Sequence, residues 1–315
     1  MPVERAHGSD RLSTAGGLAA IVLWSTTVAV ARSLSEQLGP LTAGACVYLI
    51  GGLFCLPAFV RPRNVVWRVA RQSPRYVFGC GAMFVLYTVL LYLAIGTAED
   101  RRQVLEIGLI NYLWPTATVL LSLVLLNKRA NLLLAPGTAL ALAGEFLVIT
   151  QDTAVSWPSF WGHLQADPGP CVLAFVGAVA WAFYSTLTRR WLPAGSAGAV
   201  SLFVPAAGLG LLVLSLLQGE SPTWSMHVVE EAVVLAALTV AAYALWDRAM
   251  RRGNLLLVAA CSYFTPLLST LVSCVYLGVE PGGRLWLGCV VLVAGSLLTW
   301  QSICDSADGG EETPS

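Results

Sequence analysis

Long apolar runs alternate with short polar segments along this chain. Each run holds about 17 or more largely apolar residues, close to the length that a helix needs to cross the hydrocarbon core of a bilayer. We mark ten such runs, at 15–31, 42–60, 76–98, 104–126, 132–150, 171–187, 199–217, 228–250, 255–277 and 285–303. The pattern predicts an all-α integral membrane protein with ten transmembrane helices.

The composition agrees with a membrane protein. Hydrophobic residues make up 57% of the chain and charged residues 11%, whereas about a quarter of the residues in a typical soluble protein are charged. The formal net charge is zero, so charge indicates no nucleic-acid partner. We expect membrane lipid and a small-molecule substrate as partners, and a chain that works as a monomer.

Basic residues are distributed unevenly between the two sides of the predicted spans. If the N-terminus lies inside, the outside segments hold only Arg32, Arg101, Arg102 and Arg284 of the 18 Lys and Arg residues. Cytoplasmic loops of membrane proteins carry an excess of Lys and Arg. This distribution predicts that both termini lie in the cytoplasm.

The two halves of the chain repeat each other. Four residues recur at a constant offset of 151: Tyr92, Tyr112, Pro115 and Gly144 match Tyr243, Tyr263, Pro266 and Gly295. Earlier in each half, Trp24 and Arg32 match Trp181 and Arg189 at an offset of 157. Because each half has five spans, an odd number, the second half is expected to lie upside down relative to the first. Inverted repeats are typical of alternating-access transporters.

The repeat also suggests domain boundaries. We assign 1–150 to the first five-helix repeat, 151–170 to a linker rich in Pro and Gly, and 171–304 to the second repeat. The remaining segment, 305–315, is polar and acidic, and we expect it to be disordered.

Two proline motifs interrupt apolar runs at equivalent places. Pro115 ends the motif EIGLINYLWP and Pro266 ends the motif SYFTP. Because proline cannot donate to the carbonyl four residues back, the carbonyls of Asn111 and Ser262 lose their helical partners. The freed carbonyls could face each other across a central cavity and bind an ammonium or hydroxyl group. Alternatively, each break is a simple kink whose carbonyl is satisfied by a neighbouring Ser or Thr.

Aromatic side chains form a second group of candidates. Trp24, Trp114 and Trp181 lie within apolar runs, away from the interfaces where Trp and Tyr are usually enriched. Rings in such places can hold a planar apolar solute by stacking and a cationic group over an indole face. We add to the candidate substrate-binding residues four tyrosines within the runs: Tyr87, Tyr112, Tyr184 and Tyr263. The alternative is that these rings only pack against one another.

Few ionisable residues lie within the predicted spans. Glu106 either lines a cavity, with a role in proton transfer or gating, or pairs with Arg102 near the start of its helix, where Asp100 and Gln103 form a capping pattern. Asp247 and Arg248 lie just before Arg251 and Arg252, and we expect a mutually paired cluster that extends to the inner interface. Glu145 has no evident partner.

Several classes of function lack the residues that they require. The chain has no GxSxG or HExxH motif, no histidine within an apolar run and no Cys/His cluster. We therefore expect no enzyme activity, no cofactor and no metal site. A broad exporter of cationic or lipophilic drugs is the alternative transport function, although it would require more inward carboxylates than Glu106 alone.

The sequence resembles the EamA type of the drug/metabolite transporter superfamily. The resemblance rests on the opening LAAIVLWSTTVAVAR, on EIGLINYLWP and on SYFTP. It implies a bacterial inner-membrane protein in which helices 1–4 and 6–9 surround a central cavity and helices 5 and 10 are peripheral. It also implies export of phenylalanine, tyrosine and tryptophan, with a cavity lined by Trp24, Tyr87, Asn111, Trp114, Trp181 and Tyr263.

Overall fold

The computed structural model describes residues 2–60, 69, 71, 73–150, 157–192, 196–277 and 283–308, and these residues form helices and no strand. We label the long helices in chain order, with a and b for the two parts of a broken helix. They are α1 (Pro2–Leu38), α2 (Pro40–Cys55), α3 (Arg75–Gly96), α4a (Arg101–Asn111), α4b (Trp114–Leu125), α5 (Leu134–Ile149), α6 (Gly169–Trp191), α7 (Val200–Gln218), α8 (Met226–Arg252), α9a (Leu255–Cys261), α9b (Phe264–Leu277) and α10 (Gly283–Asp308).

Six helices in the described ranges are long and apolar enough to cross a membrane: α3, α4, α6, α7, α8 and α10. A seventh is α1, if its segments Arg11–Thr27 and Val30–Leu38, which meet at 46°, form one span. The apolar helices α2 and α5 are shorter, at 16 residues each. The chain is therefore a multi-pass membrane protein, and α10 continues as helix to Asp308, into the predicted tail.

The predicted linker contains a helix of its own. Residues Trp157–Ala166, which we call the connecting helix, lie between α5 and α6. The preceding part of the linker, 151–156, lies outside the described residues. The connecting helix contacts α4a, so it packs on the first half of the chain just before α6 begins.

Both predicted proline breaks are present. One break separates α4a from α4b just before Pro115, and the other separates α9a from α9b just before Pro266. At the second break the carbonyl of Ser262 accepts hydrogen bonds from the backbone N–H of Thr265, at 3.0 Å, and from its hydroxyl, at 2.8 Å. A neighbouring threonine thus satisfies this carbonyl, as the simple-kink alternative requires.

The start of α4a is fixed by the predicted capping pattern. Asp100 Oδ1 accepts hydrogen bonds from the backbone N–H groups of Arg102 and Gln103. Gln103 in turn accepts one from the backbone N–H of Glu99 through its Oε1. These bonds satisfy backbone donors that have no partner within the helix.

The most extensive helix contacts follow a simple rule. α1 packs on α8 and α3 on α6; α1 packs on α9b and α4b on α6; α2 packs on α7 and α5 on α10. Replacing each helix by its counterpart in the other half, α1 by α6, α2 by α7 and so on, gives the same set of helix pairs.

Glycines set the crossing of α5 and α10. A Cβ atom on Gly137 would lie 2.7 Å from the backbone N of Thr299, and one on Gly288 would lie 3.0 Å from the backbone N of Val148. The earlier residue of α5, Gly137, thus meets the later part of α10, and the later residue, Val148, meets the earlier part. The two helices therefore run antiparallel. Contacts this close require residues without a side chain, as is common where membrane helices pack tightly.

Candidate functional site

Eight aromatic side chains meet in the core of the helix assembly. We call them the aromatic cluster; its members are Trp24, Phe84, Tyr87, Trp114, Trp181, Tyr184, Tyr243 and Trp246. They come from α1, α3, α4b, α6 and α8, so the cluster joins both halves of the chain.

Trp181 lies at the centre of the cluster. Its ring centroid is 4.8 Å from that of Tyr87, 5.0 Å from that of Tyr184 and 5.8 Å from that of Trp24. Only 2% of Trp181 is exposed. The rings are tilted or edge-on, arrangements that aromatic pairs favour over face-to-face stacking. In this conformation neighbouring rings cover the faces that a planar solute would use, so such a solute requires the helices to move apart.

Five sequence candidates belong to the cluster: Trp24, Tyr87, Trp114, Trp181 and Tyr184. Trp246 is a further member that is absent from the sequence candidates; its ring centroid lies 5.2 Å from that of Trp24 and 5.3 Å from that of Trp114. Trp246 follows Tyr243 by three residues on α8, and residues at this spacing share a helix face. That spacing is the signal that could have identified it.

Asn111 ends α4a beside the cluster. Its side chain lies near the hydroxyl of Tyr87. Its Oδ1 is buried and has no hydrogen-bond partner among the described residues. A buried polar atom without a partner is costly in a folded protein, so this oxygen is able to accept a hydrogen bond from a ligand or a water molecule.

Two tyrosine candidates lie elsewhere. The hydroxyl of Tyr263 forms a 2.6 Å hydrogen bond with Thr116 Oγ1. Its ring packs against Ala141 of α5 and Leu292 of α10. Tyr112 lies near Glu145 of α5. None of the described ring contacts joins either tyrosine to the aromatic cluster. Both therefore lie on the side of the assembly that α5 covers.

Glu145 is buried on this same side. Only 2% of the residue is exposed, and neither carboxylate oxygen has a hydrogen-bond partner within the described part of the chain. Removing an ionised carboxylate from water without pairing it is very unfavourable.

The carboxylate of Glu106 is fully buried against the connecting helix. It accepts a 2.9 Å hydrogen bond from Ser159 Oγ and lies 2.8 Å from Nδ1 of His163. The predicted pairing with Arg102 is therefore replaced by a pairing with His163, because Glu106 faces the connecting helix.

His163 also approaches a second carboxylate. Its Nε2 lies 3.8 Å from Asp100 Oδ1, so the ring is placed between the start of α4a and Glu106. The backbone N–H of Gln103, which donates to Asp100, holds the pKa of that carboxyl below its ordinary value. The cluster fastens the connecting helix to α4a.

Asp247 forms an ion pair with Arg251 that is buried, which corrects the expectation of a cluster at the interface. Its Oδ2 lies 2.8 Å from Nε of Arg251, and its Oδ1 accepts a 2.8 Å hydrogen bond from the hydroxyl of Tyr76. Asp247 is 2% exposed, whereas Arg248 is exposed. Arg251 lies one helical turn after Asp247, on the same face, and this spacing decides the partner.

A cavity of about 650 Å³ lies where the ends of α6 and α8 meet α1 and the start of α9a. Basic and apolar side chains dominate its lining. The lining residues are Arg11, Thr14, Ala15, Leu18, Leu126, Lys128, Arg189, Arg252, Gly253, Asn254, Leu255, Leu256 and Leu257. We call it the basic cavity.

Comparisons of sequence identify several similar proteins. The profile of the EamA-like transporter family matches residues 13–150 and 169–301. The aromatic amino acid exporter YddG of Escherichia coli (strain K12) is 34% identical over 286 residues, which cover 90% of this chain and 95% of that exporter. The YddG exporter of Salmonella typhimurium is 33% identical over 294 residues, covering 93% of this chain and 98% of that protein.

A third YddG exporter, from Ancylobacter novellus, is 30% identical over 282 residues, covering 89% of this chain and 94% of that protein. A solved crystal structure is similar in fold, with a TM-score of 0.74 and 29% sequence identity. The match covers 93% of this chain and 98% of the other.

Proposed function

Because this chain belongs to the EamA-like transporter family and is a transporter rather than an enzyme, we propose that it exports phenylalanine, tyrosine and tryptophan across the bacterial inner membrane. Three similar proteins carry the name aromatic amino acid exporter. The observation that carries the proposal within this chain is the aromatic cluster, whose rings come from both halves of the chain.

The proposed architecture is ten transmembrane helices in two inverted five-helix repeats, 1–150 and 171–304. The contact pattern supports it, because the main helix pairs are unchanged when the halves are exchanged. The family profile also matches one stretch in each half. The distribution of basic residues supports a cytoplasmic position for both termini.

Alternating access follows from such an architecture. Two inverted halves can exchange conformations about a site between them, so that the site opens to one side of the membrane at a time. In this chain the aromatic cluster is the part shared by the two halves. We propose that one chain, acting as a monomer, completes the cycle.

The proposed substrate site combines rings with one polar group. The substrate side chain lies among Trp24, Trp114 and Trp181, where ring contacts and burial of apolar area stabilise it. The α-ammonium group donates to Asn111 Oδ1, a buried acceptor that has no partner among the described residues. Tyr87 and Tyr184 complete the wall, whereas Tyr112, Ser262 and Tyr263 support the helix breaks at Pro115 and Pro266.

The positions of the carboxylates favour amino acids over cationic drugs. Glu106 is engaged by His163 and Ser159, and Asp247 by Arg251 and Tyr76. Neither carboxylate is available to bind a cation at the aromatic cluster. A neutral carboxamide such as Asn111 suits the ammonium group of a zwitterion, which carries its own negative charge.

Counterflow in proteoliposomes tests this function. Vesicles loaded with unlabelled tryptophan or phenylalanine should accumulate labelled tryptophan, and Asn111→Ala should weaken the exchange about tenfold, the change that loss of one hydrogen bond to a charged group can produce. Gln218→Ala, which removes an exposed carboxamide at the end of α7, is the matched control. Absence of exchange for every aromatic amino acid would refute the proposal. Repeating the assay with a pH gradient shows whether protons are coupled.

A further inference from the structure

The basic cavity concentrates positive charge. Four cationic side chains line it, Arg11, Lys128, Arg189 and Arg252, and they come from four separate parts of the chain. No Asp or Glu is among the described residues that line it. Like charges that share a cavity repel one another, and a bound anion relieves that repulsion. The lining of the cavity therefore favours binding of a negatively charged group.

Hydrogen bonds hold one of these side chains in place, and a second has a buried donor group. Arg189 Nη1 donates to the carbonyls of Met250 and Gly253, at 3.3 Å and 2.9 Å, which holds its guanidinium at the cavity. Arg252 Nε is buried without a hydrogen-bond partner among the described residues. An arginine fork can bind a carboxylate through two parallel hydrogen bonds.

The opposite wall of the cavity is apolar. Leu255 and Leu256 belong to the same buried core as Trp181, and Leu126 packs against that core. A ligand that combines an anionic group with an apolar body matches this division of the lining. The volume, about 650 Å³, falls within the usual range of small-molecule sites, roughly 300–1,000 Å³.

The cavity is also close to the aromatic cluster. Arg189 follows Trp181 by eight residues on α6, which corresponds to about 12 Å at 1.5 Å per residue. Leu18 precedes Trp24 by six residues on α1, or about 9 Å. A solute in the basic cavity therefore lies about two helical turns from the rings.

We propose that the basic cavity is the cytoplasmic capture site of the transporter, where Lys128, Arg189 and Arg252 bind the carboxylate of an aromatic substrate. This inference rests on the proposed function and adds the chemical group that the protein selects. Aromatic carboxylates with or without an ammonium group bind there, and aromatic amines without a carboxylate do not.

Equilibrium binding to the purified full-length protein tests the inference, with three probes: tryptophan, indole-3-propionate and tryptamine. Wild-type protein should bind the first two and bind tryptamine at least about tenfold more weakly. The variant Lys128→Gln/Arg252→Gln should raise the Kd for tryptophan and indole-3-propionate about tenfold and leave the Kd for tryptamine unchanged. Arg189 is left intact, because its hydrogen bonds support the end of α8.

The matched control is Arg248→Gln, which removes the same charge from the same helix, one turn before Arg252, at an exposed position outside the cavity lining. This variant should bind all three probes as the wild type does. Equal loss of affinity in Arg248→Gln, or unchanged affinity in the double variant, overturns the inference.

An anionic lipid headgroup offers the same chemistry, so the experiment is repeated in nanodiscs of phosphatidylcholine alone and with phosphatidylglycerol. Unchanged binding of indole-3-propionate in both supports a substrate site. Competition by phosphatidylglycerol would overturn the assignment to substrate.

Failure of this inference can be told from failure of the proposed function. Asn111→Ala should weaken the binding of tryptophan and tryptamine but not that of indole-3-propionate. The double variant should weaken tryptophan too, but it should affect indole-3-propionate and spare tryptamine. Tryptophan counterflow together with an unaffected double variant refutes the capture site alone. Absence of any aromatic exchange refutes the proposed function.

Discussion

Gly144 and Gly295 occupy equivalent places on the antiparallel helices α5 and α10. A Cβ atom on Gly144 would overlap the backbone of Leu292, and one on Gly295 would overlap the backbone of Ala141. Leu292 follows Ala141 by the same 151 residues that separate the two glycines. Each contact is thus the image of the other, as in a two-fold symmetric interface.

Gly144→Ala and Gly295→Ala should each destabilise the protein. An added methyl group forces the helix backbones apart, and overpacking of this kind costs about 1–3 kcal/mol. The apparent melting temperature of the purified protein, followed by tryptophan fluorescence, measures the effect. Gly162→Ala is the control: its Cβ would meet nothing within 4 Å, so its melting temperature should not fall. Wild-type stability in both α5 and α10 variants would contradict the close crossing.

Trp181→Ala should destabilise the protein by about 3–5 kcal/mol, because it removes a large buried side chain from the centre of the aromatic cluster. Trp181→Phe keeps a ring in contact with Tyr87 and Tyr184 and should recover part of the loss. Trp224→Ala removes an indole that is 56% exposed and should have little effect. Thermal unfolding measures the stability of the three variants. Similar losses of stability in Trp181→Ala and Trp224→Ala would argue against a packed cluster.

Asp247→Asn should be strongly destabilising. It leaves Arg251 buried without its ionic partner, and breaking a buried pair by removing one side costs about 3–5 kcal/mol. Adding Arg251→Gln should restore part of the stability, since the uncompensated charge is then gone. Arg248→Gln, on the exposed face of the same turn, should change stability by less than about 0.5 kcal/mol. Additive losses in the double variant would show that the two residues act independently.

Glu106→Gln and His163→Gln should be coupled. Each variant removes one side of the 2.8 Å contact that holds the connecting helix on α4a, so the second substitution should cost less once the first is present. A double-mutant cycle on unfolding free energies should give a coupling of about 0.5–3 kcal/mol. His227→Gln, at a histidine whose side chain is 73% exposed, should show no coupling with Glu106→Gln.

The capping residue Asp100 should make the stability of the protein depend on pH in the acidic range. Because the pKa of Asp100 is lowered in the folded protein, its contribution is complete above the ordinary value of 3.8 and is lost as the pH falls through the folded pKa. Asp100→Asn retains a capping side chain without an ionisable group. The melting temperature of the wild type should therefore fall more steeply below about pH 4 than that of Asp100→Asn, and parallel curves would contradict this account.

Much of the fold could be predicted from local features of the sequence. The apolar runs indicated membrane helices, and the two prolines located the breaks before Trp114 and Phe264. The capping pattern at Asp100 located the start of α4a. The breaks and the cap depend on residues within about one helical turn, and each span depends on one continuous run of apolar residues.

The candidate site could be predicted only in part. The sequence indicated that Trp24, Trp114 and Trp181 lie within spans, and the structure brings them together. It placed Tyr263 with them, but Tyr263 packs against α5 and α10 instead. Trp246 was not identified, although it contacts both Trp24 and Trp114.

By itself, the sequence determined that this is a helical membrane protein of the EamA-like family with two breaks at matching places. Only the tertiary structure decided that Glu106 meets His163, 57 residues away, and that Asp247 is buried beside Tyr76, 171 residues away. The reason is physical. Hydrophobicity and helix formation act between near neighbours in the chain, whereas partners are chosen by the helix face that a side chain shares and by the helix that packs against that face.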